Sequence, residues 1–361
     1  MEQKEKNAKS GKKKTSRKSG RKKDNFVTRH SLALLIAAIA VVILIGAAAI
    51  FCTGNYRGED KWVYIPRGSD SKDIKDSLQS ALGLSDGKRV YFLWNLMGGR
   101  SETACGAYLI PKGTKSLSAA RRLKRGTQTP VKIRFNNAVS FGDIAKKITT
   151  KTECDSASFI HAAQKILTDS GYAPQEFTAA FLPDTYETYW NDSPEKIVDR
   201  LLKANRRFWD ENRKKKAAEL GLTPVQVSTL AAIVEEETAK ADERPIVARL
   251  YLNRLKSGMK LQADPTVKFA VGDRSLRRIT GSHLKIESPY NTYLHAGLPP
   301  GPIRVPEATT LDAVLDAPPH NYLYMCAKED FSGYHNFAVD YATHMNNARR
   351  YQAELNKRGI H

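Results

Sequence analysis

The run from Thr223 to Glu237 combines a helix start signal, a stretch of apolar residues and a cluster of carboxylates. Thr223, Pro224 and Gln226 fit an N-cap, a first-turn proline and a capping-box partner, so a helix is predicted to begin here. At about 100° per residue, one broad arc of this helix is apolar. That arc contains Val227, Leu230, Ala231, Ile233 and Val234. The pattern predicts a buried helix that ends in three glutamates.

The three glutamates that end this helix are Glu235, Glu236 and Glu237, and they fall at different angles to the apolar arc. Glu236 is predicted to face solvent and Glu235 to lie beyond the alanine edge, whereas Glu237 falls inside the arc. A carboxyl among aliphatic side chains loses solvation of its charged form, which raises its pKa and suits a general acid at neutral pH. The alternative is that the triplet is merely a solvated helix end.

A second helix, a polar segment and two turn-rich loops follow the triplet. The helix is predicted to begin near Asp242 and to end at a glycine C-cap at 257–258. Residues 259–266 alternate polar and apolar groups before a proline, which predicts the lip of a cleft. The loops 288–293 and 297–302 carry hydroxyl, amide and aromatic groups on stiff backbone. Such walls suit the binding of a linear polysaccharide.

The N-terminal part reads as a basic tail followed by a membrane-spanning helix. Residues 1–29 hold 12 Lys/Arg and three Asp/Glu, have little to bury and are predicted to be disordered. Leu32 to Cys52 are 21 uncharged, mainly aliphatic residues, long enough as a helix to cross a bilayer. A cleaved signal peptide is the competing interpretation, but the apolar run is too long for an ordinary signal core. The basic tail places the N-terminus in the cytoplasm and everything after Cys52 outside.

Charge and cysteine usage narrow the function classes. The formal net charge is +20, of which the tail accounts for +9, so nucleic-acid binding loses much of its support. The eight histidines are scattered, and the four cysteines have no metal-ligand spacing, so neither a metal nor another cofactor is expected. With Cys52 in the membrane segment, at most one disulfide can form among Cys105, Cys154 and Cys326, and the sequence does not choose the pair.

Residues 61–150 contain a repeated pattern of strand, turn and helix. Strand-like runs at 63–65, 108–110 and 131–135 are each followed by a turn and a helical stretch. Counted from the last residue of each strand, apolar residues recur at the ninth and thirteenth positions. These pairs are Ile74 and Leu78, Ala119 and Leu123, and Ile144 and Ile148. Three such units predict a small α+β module.

The other segments are predicted from apolar stripes and strand-like runs. Residues 151–222 are expected to be mainly helical, with two stripes that are more typical of core than of a site. The stripes are Phe159, Ile160, Ala163, Ile166 and Leu167, and Ile197, Leu201 and Leu202. Residues 322–326 read as a strand, and a basic helix follows near the end of the chain. Between them, His335, Asn336 and Phe337 are candidates for cleft lining.

Several of these motifs, in this order, resemble the YceG/MltG family of membrane-anchored endolytic murein transglycosylases. The segments that carry the resemblance are FLPDTY at 181–186, AIVEEET at 232–238, ER at 243–244, VA at 247–248, LNRL at 252–255, GM at 258–259, LQADPTV at 261–267, YNTY at 290–293 and GLPPG at 297–301. They cover most of the chain after the membrane segment. Residues 330–335 depart from the glycine-rich turn usual at that place in the family, a difference that leaves the acid untouched.

The resemblance implies an α+β fold class with a single N-terminal transmembrane helix, a LysM-like α+β module and an α+β catalytic domain whose catalytic glutamate lies on a helix. The implied domains are a disordered basic cytoplasmic tail at 1–29, a transmembrane helix at 30–52, a LysM-like glycan-binding module at 53–135 and a YceG-like catalytic domain at 136–361. LysM modules bind glycans that contain N-acetylglucosamine. The alternative is that the repeats only pack a spacer domain.

The resemblance also assigns roles to particular residues. The family's catalytic glutamate is the second of a Glu-x-Glu pair, which falls on Glu237 and makes Glu235 the supporting carboxylate. The further substrate-binding candidates are Gln262, Asp264, Asn291, Tyr293, Arg244 and Arg254. The first four are alternatively loop caps, and the two arginines would pair with the acids or hold lactyl or peptide carboxylates of the substrate.

The implied activity is cleavage of the β-1,4 bond between N-acetylmuramic acid and N-acetylglucosamine in nascent strands, without water, to give 1,6-anhydromuramoyl ends. This would terminate strand elongation at the bacterial cytoplasmic membrane, with the catalytic domain outside. The implied partners are peptidoglycan strands, the membrane, and peptidoglycan synthases or the divisome, with no nucleic acid.

Two other functions remain open at this stage. A hydrolytic muramidase would use Glu235 or Asp264 as a second carboxylate. A non-catalytic wall-binding or division-scaffold protein would be indifferent to a Glu237→Gln substitution. A cytosolic lyase conflicts with the membrane helix.

Overall fold

The computed structural model describes residues 20–136, 138–273, 276 and 279–359, with side chains described from 30 to 49 and from Gly54 onward. It mixes helices with small sheets, so the coarse α+β assignment is confirmed. The chain forms two bodies. The first comprises residues up to Ala104 together with Tyr108–Thr127, and the second comprises Cys105–Ala107 together with the chain from Gln128 onward.

A long N-terminal helix, α1 (Gly20–Thr53), contains the apolar run. Its stretch His30–Ala49 is long and apolar enough to cross a membrane, and its side chains are exposed. The tail is expected from its sequence to be disordered. Its residues 1–19 lie outside the described residues, whereas residues 20–29 are helical, so the expectation is wrong for them. The Lys and Arg residues of this part are good helix formers, so a helix started by the apolar run extends through them.

The first body continues as a two-stranded sheet covered by helices. Its elements are β1 (Lys61–Ile65), α2 (Ser71–Leu82), α3 (Leu84–Leu96), α4 (Ser101–Ala104), β2 (Gly106–Ile110) and α5 (Ser116–Arg125). Strands β1 and β2 pair with each other. Both predicted helical pairs, Ile74 with Leu78 and Ala119 with Leu123, are buried, so the first two repeat units are confirmed.

The third repeat unit forms as predicted but belongs to the second body. Strand β3 (Val131–Phe135) is followed by α6 (Phe141–Thr149), whose Ile144 and Ile148 are buried. Strand β3 pairs antiparallel with β4 (Asp184–Thr188), a strand that the expectation of a mainly helical 151–222 missed. The prediction of a single module with three units is therefore wrong. The buried face of β3 packs among the helices that follow it, and β3 does not pair with β1 or β2.

Helices in the first half of the second body enclose one hydrophobic core. They are α7 (Ser156–Asp169), a 3-10 helix (Pro174–Ala180) and α8 (Pro194–Phe208). The next helix, α9 (Glu211–Glu219), places its Ala217 in a separate core. The two predicted stripes supply this core: Phe159, Ala163 and Leu167 from α7, and Ile197, Leu201 and Leu202 from α8, are buried.

The helix of the glutamate triplet, α10 (Pro224–Glu237), lies at the centre of a second core. The elements after it are α11 (Arg244–Lys256), α12 (Asp264–Val271), a 3-10 helix (His283–Lys285), α13 (Ala308–Leu315), β5 (Tyr324–Ala327), β6 (His335–Ala338) and α14 (Tyr341–Lys357). The predicted capping box is present: the Thr223 hydroxyl accepts from the Gln226 backbone N–H, and the Gln226 side-chain Oε1 accepts from the Thr223 backbone N–H. Every residue from Val227 to Glu235 is buried, so α10 is enclosed on all sides.

Among the described side chains, Cys105, Cys154 and Cys326 are not in disulfides. Burial raises the pKa of the Cys154 thiol to about 11, with nearby carboxylates adding to the effect. At neutral pH this group is therefore a protonated thiol and a weak nucleophile.

The enclosure of α10 predicts a large penalty for truncating its middle. Leu230→Ala should reduce the free energy of unfolding by about 2–5 kcal/mol, because it removes buried methyl groups and leaves a cavity. Guanidinium unfolding of the full-length chain in detergent, followed by tryptophan fluorescence, measures this loss. Val225→Ala, at a partly exposed position of the same helix, should cost clearly less, and equal losses would contradict the enclosed position of Leu230.

Candidate active site

Glu237 ends α10 and is partly buried, with its carboxyl surrounded by protein groups. Its Oε1 accepts a hydrogen bond of 2.7 Å from the hydroxyl of Tyr251, a fully buried residue of α11. Burial raises the pKa of Glu237 to about 7, and the Tyr251 hydrogen bond opposes this rise because it stabilises the carboxylate. A carboxyl with this pKa exists in both protonation states near neutral pH and can both donate and accept a proton.

Three charged neighbours modify the Glu237 carboxyl. The negative charges of Asp264 and Glu236 raise its pKa further, and the positive charge of Arg254 lowers it. Arg254 is buried and is held in place by backbone carbonyls, with Nε donating to Leu323 and Nη1 to Leu261. These two donors fix the arginine within the fold, and its pairing with an acid or binding of a substrate carboxylate stays a prediction.

Glu235 is the most buried member of the triplet, contrary to the angle predicted for it. Its Oε1 lies 3.1 Å from a guanidinium nitrogen of Arg304, and its Oε2 accepts from the Glu307 amide at 2.8 Å and the Thr310 hydroxyl at 2.7 Å. The prediction was wrong because α10 is enclosed on all sides. The position of a residue relative to the apolar arc of the helix therefore does not determine how deeply it is buried. Glu236 is exposed, as predicted, and also pairs with Arg304.

Arg244 belongs to the same network as Glu235. Its Nη1 donates to the Thr310 hydroxyl at 2.9 Å and lies 3.2 Å from a Glu307 carboxylate oxygen. The Thr310 hydroxyl accepts from Arg244 and donates to Glu235, so one residue of α13 links the two side chains. Arg244 therefore pairs with an acid, as one of its two predicted roles required, although the acid is Glu307 and not a member of the triplet.

The predicted lip carries an exposed amide and an exposed carboxylate. The side chains of Gln262 and Asp264 are exposed, and the Asp264 carboxylate accepts a 2.7 Å hydrogen bond from the Tyr293 hydroxyl. Gln262 has a φ of 52°, a left-handed conformation that is costly for a residue with a side chain and that recurs at functional sites. The hydroxyls of Thr266 and Thr292, 2.8 Å apart and buried, attach the lip to the next loop.

Asn291 is held by the backbone of its own loop. It is fully buried, and its Nδ2 donates to the carbonyls of Leu284 and Ile286 while its Oδ1 accepts from the Tyr293 amide. These contacts fit the loop-cap alternative, and a role of Asn291 in substrate binding stays a prediction. Tyr293 itself is partly exposed and reaches Asp264.

A second buried carboxylate, Glu243, ties the C-terminal strands to the end of α10. It accepts hydrogen bonds from the Thr238 hydroxyl at 3.0 Å, the His335 amide at 2.7 Å and the His335 Nδ1 at 2.9 Å. Thr238 is the residue directly after Glu237 and caps α10. Of the three residues considered as cleft lining, His335 thus contacts Glu243, Asn336 donates to Glu329, and Phe337 stacks on Tyr322.

A pocket of about 390 Å³ opens beside the exposed carboxylate of Glu236. It is lined by the sequence neighbours of Glu237 and Asp264, and by apolar and polar groups from three other segments. The lining residues are Val139, Ser140, Glu236, Pro265, Lys268, Phe269, Gly272, Asp273 and Ile303. This mixture of an aromatic ring, aliphatic groups and a few polar groups is typical of a site for an organic ligand. Over the described part of the chain, no cluster of three or more His, Cys, Asp or Glu residues is arranged to hold a metal ion.

Tyr251 and Arg304 are the site residues that the sequence pattern did not single out. Tyr251 falls among the apolar positions of its helix, and Arg304 lies in a loop without a periodic pattern. One signal was available for the first: a buried tyrosine hydroxyl usually needs a hydrogen-bond partner. No comparable signal points to Arg304, because its partner lies 69 residues earlier in the chain.

Comparisons with known proteins agree with the arrangement of these motifs. A model of the YceG-like family matches residues 63–350. An endolytic murein transglycosylase of Bacillus subtilis is 27% identical over 288 residues, which cover 74% of this chain and 79% of that protein. One from Streptococcus pneumoniae is 25% identical over 301 residues, which cover 73% of this chain but only 54% of that protein.

A solved structure shares the fold. The crystal structure of a YceG-like protein from Listeria monocytogenes superimposes with a TM-score of 0.53 and 22% sequence identity. The match covers 80% of this chain and 98% of that chain. The architecture is therefore one that an experimentally determined structure also adopts.

Because the pKa of Glu237 is raised, replacing this residue by the neutral glutamine should increase the free energy of unfolding by an amount that grows with pH. The native pKa is about 7 and the unfolded value is about 4.5, so the stability contributed by this group is full below pH 4.5 and lost as the pH rises through 7. Glu237→Gln should match the parent at pH 4 and exceed it by up to about 3 kcal/mol at pH 8. Guanidinium unfolding at the two pH values measures the difference. Glu219→Gln, at an exposed end of α9, should show no such growth, and a constant difference for Glu237→Gln would contradict the burial argument.

The pair of Glu235 and Arg304 predicts a strong effect of removing only one partner. Arg304→Gln should reduce the free energy of unfolding by about 3–5 kcal/mol, because it leaves a buried carboxylate without its cation. The double variant Glu235→Gln/Arg304→Gln should recover part of that loss. Lys215→Gln, which breaks an exposed pair with Glu219, should cost less than about 1 kcal/mol in the same denaturation assay. A loss no greater for Arg304→Gln than for Lys215→Gln would show that the buried pair is not formed.

Proposed function

The chain belongs to the YceG-like family, and we propose that it is a membrane-anchored endolytic lytic transglycosylase of peptidoglycan with Glu237 as its catalytic residue. The observation that carries the proposal is a carboxyl whose pKa is raised to about 7 by burial, at the end of an enclosed helix whose neighbouring residue, Glu236, lines a pocket. The names of the relatives supply the substrate class. The geometry supplies a residue able to act on it.

In the proposed reaction one carboxyl performs both proton transfers. Protonated Glu237 donates its proton to the oxygen that links C1 of N-acetylmuramic acid to N-acetylglucosamine, and the bond from C1 to that oxygen breaks. The Glu237 carboxylate then takes the proton of the muramoyl C6 hydroxyl while the oxygen of that hydroxyl bonds to C1. The products are a 1,6-anhydromuramoyl end and a free N-acetylglucosamine hydroxyl, Glu237 is again protonated, and no water is consumed. General acid–base catalysis of this kind typically contributes about 10²–10⁴ in rate.

The hydrogen bond from Tyr251 supports this double role. It holds Oε1 of Glu237 in one position, and it keeps the raised pKa near neutrality by stabilising the charged form. Without such a donor, burial would favour the neutral acid so strongly that the second step, proton removal from the C6 hydroxyl, would lose its base. We therefore assign Tyr251 a positioning role.

The state of the other carboxylates favours this reaction over hydrolysis. A hydrolytic enzyme needs a second carboxylate that activates water or attacks C1. Both oxygens of Glu235 are engaged by Arg304, Glu307 and Thr310, so this residue is a structural support of α10. Asp264 is exposed and bound to Tyr293, and we propose that this pair and Gln262 contact the sugar.

We extend the proposal to the cellular arrangement. The stretch His30–Ala49 would anchor the chain in the cytoplasmic membrane, with the basic tail in the cytoplasm and both bodies outside. The strand, helices and strand from β1 to β2 would form the LysM-like module that binds N-acetylglucosamine-containing glycan, with a span shorter than the predicted 53–135 because β3 pairs elsewhere. Association with peptidoglycan synthases or the divisome stays a prediction.

The proposed function is tested by the chemistry of the products. The full-length chain in detergent should release fragments with 1,6-anhydromuramoyl ends from purified glycan strands, as identified by mass spectrometry. Glu237→Gln should lower that release by at least about 10²-fold, because the amide can neither donate nor accept the proton as required. Glu219→Gln, an exposed carboxylate on α9, should act like the parent.

Two results of this assay would contradict the proposal. Fragments that end in a free reducing sugar would identify a hydrolase. Strands that bind the parent protein but stay intact would identify a non-catalytic wall-binding protein.

A further inference from the structure

A groove with a marked excess of positive charge lies on the surface of the second body, outside the catalytic constellation. It has a volume of about 570 Å³ and is formed by β3 and α6. Its lining contains five cations, Lys132, Arg134, Lys146, Lys147 and Lys151, together with Asn136, Asp143 and Thr150. We refer to this set as the basic groove.

The fold itself brings these cations together. Alternation along β3 buries Val131, Ile133 and Phe135, so Lys132 and Arg134 both emerge on the exposed face. Along α6 the buried positions are Ile144, Ala145 and Ile148, which leaves the lysines of that helix on its outer side. Gathering like charges in one concave place is unfavourable unless a partner of opposite charge is bound there at least part of the time.

The acidic groups at this groove compensate only part of that charge. Asp143 accepts hydrogen bonds from the Val139 and Ser140 amides and so is committed to the start of α6. Glu187, opposite Lys132 in the β3–β4 pair, lies 3.8 Å from the Lys132 Nζ, and both side chains are well exposed. Lys147 donates to the Asn136 carbonyl. The other three cations, Arg134, Lys146 and Lys151, are exposed and take part in neither of these two contacts.

The basic groove adjoins the pocket that Glu236 lines. Ser140 lines that pocket, Asp143 lines the basic groove, and the two residues exchange hydrogen bonds in the capping box of α6. The capping box is thus the common wall of the two concavities. Helix α6 then runs from this wall along the groove, and Lys147 lies about 10 Å from Ser140 at 1.5 Å per residue. A polymer seated in the pocket meets the cations within two helical turns.

We propose that the basic groove is a binding site for the carboxylates of the peptides carried by the glycan strand whose sugars occupy the adjacent pocket. The inference rests on the proposed function, which supplies a strand with a neutral sugar backbone and anionic peptide branches. The pocket, with Phe269 and Ile303, suits the sugar faces, and the groove suits the branches. Four of the five cations are lysines, whose flexible point charges accommodate carboxylates at variable positions better than the fixed fork of an arginine.

The test measures binding separately from cleavage. The full-length chain in detergent, in an inactive Glu237→Gln background, is titrated with purified peptide-bearing glycan strands and with the same strands after conversion of their carboxyls to neutral amides. The groove variant is Arg134→Gln/Lys146→Gln/Lys151→Gln, all at exposed positions. The matched control, Lys196→Gln/Lys214→Gln/Lys215→Gln, removes three exposed charges from α8 and α9, which line neither concavity. The basic tail is common to all these proteins and cancels.

The groove variant should bind native strands about tenfold more weakly than the parent at low salt, equivalent to about 1.4 kcal/mol. This difference should shrink in about 0.5 M salt, because screening weakens exposed charge pairs. Amidated strands should bind the groove variant and the parent equally, and the control triple variant should match the parent on both substrates.

Equal affinity of the groove variant and the parent for native strands would overturn the proposal, as would an equal loss on amidated strands. Inorganic polyphosphate that binds through the three groove cations, while native strands do not, would also overturn it and would identify the groove as a site for polymeric phosphate anions. Because these measurements need no turnover, failure of the parent chain to form anhydro ends would count against the proposed function and leave the binding result interpretable by itself.

Discussion

A carboxylate at the end of an enclosed helix must either be neutralised by a partner or shift its pKa, and α10 uses both solutions within three residues. Glu235 is compensated in full by a guanidinium, a backbone amide and a hydroxyl. Glu237 has one neutral donor, the Tyr251 hydroxyl, and its pKa rises to about 7. Two residues of the same type on one helix therefore differ in chemistry because of what packs against them. The first anchors the helix and the second is left available for proton transfer.

The surrounding elements keep this difference fixed. Thr310 of α13 connects Arg244 with Glu235, and Glu243 connects the cap of α10 with β6. On the other side, the threonine pair of the lip and its neighbouring loop holds Asp264 within electrostatic range of Glu237. Each of these contacts is made by a buried polar group whose loss would leave a partner unsatisfied. The position of the acid is thus determined by several independent attachments.

Local signals in the sequence were enough to predict much of this framework. The capping box of α10, the glycine end of α11, the strand–turn–helix repeats and the stripes of α7 and α8 are all present. What the sequence left open depends on partners far along the chain. The burial order of Glu235 and Glu237 depends on Arg304 and Tyr251, and the membership of β3 in the second body depends on its pairing with β4. The periodicity of apolar residues describes one helix or strand at a time, so it does not predict which distant residues will pack against that element.

The placement of positive charge follows from the same requirement. A strand that carried its carboxylates close to Glu237 would raise the pKa of the acid further and oppose the step in which it acts as a base. Cations directly beside Glu237 would lower that pKa, and the residue would lose its acid form at neutral pH. The positive charge of Arg254 already lowers it. Holding the substrate's negative charge in a groove beyond the α6 capping box separates attraction of the polymer from control of the acid. Because electrostatic effects weaken with distance and with salt, cations in the groove would influence the pKa of the acid less than cations directly beside it.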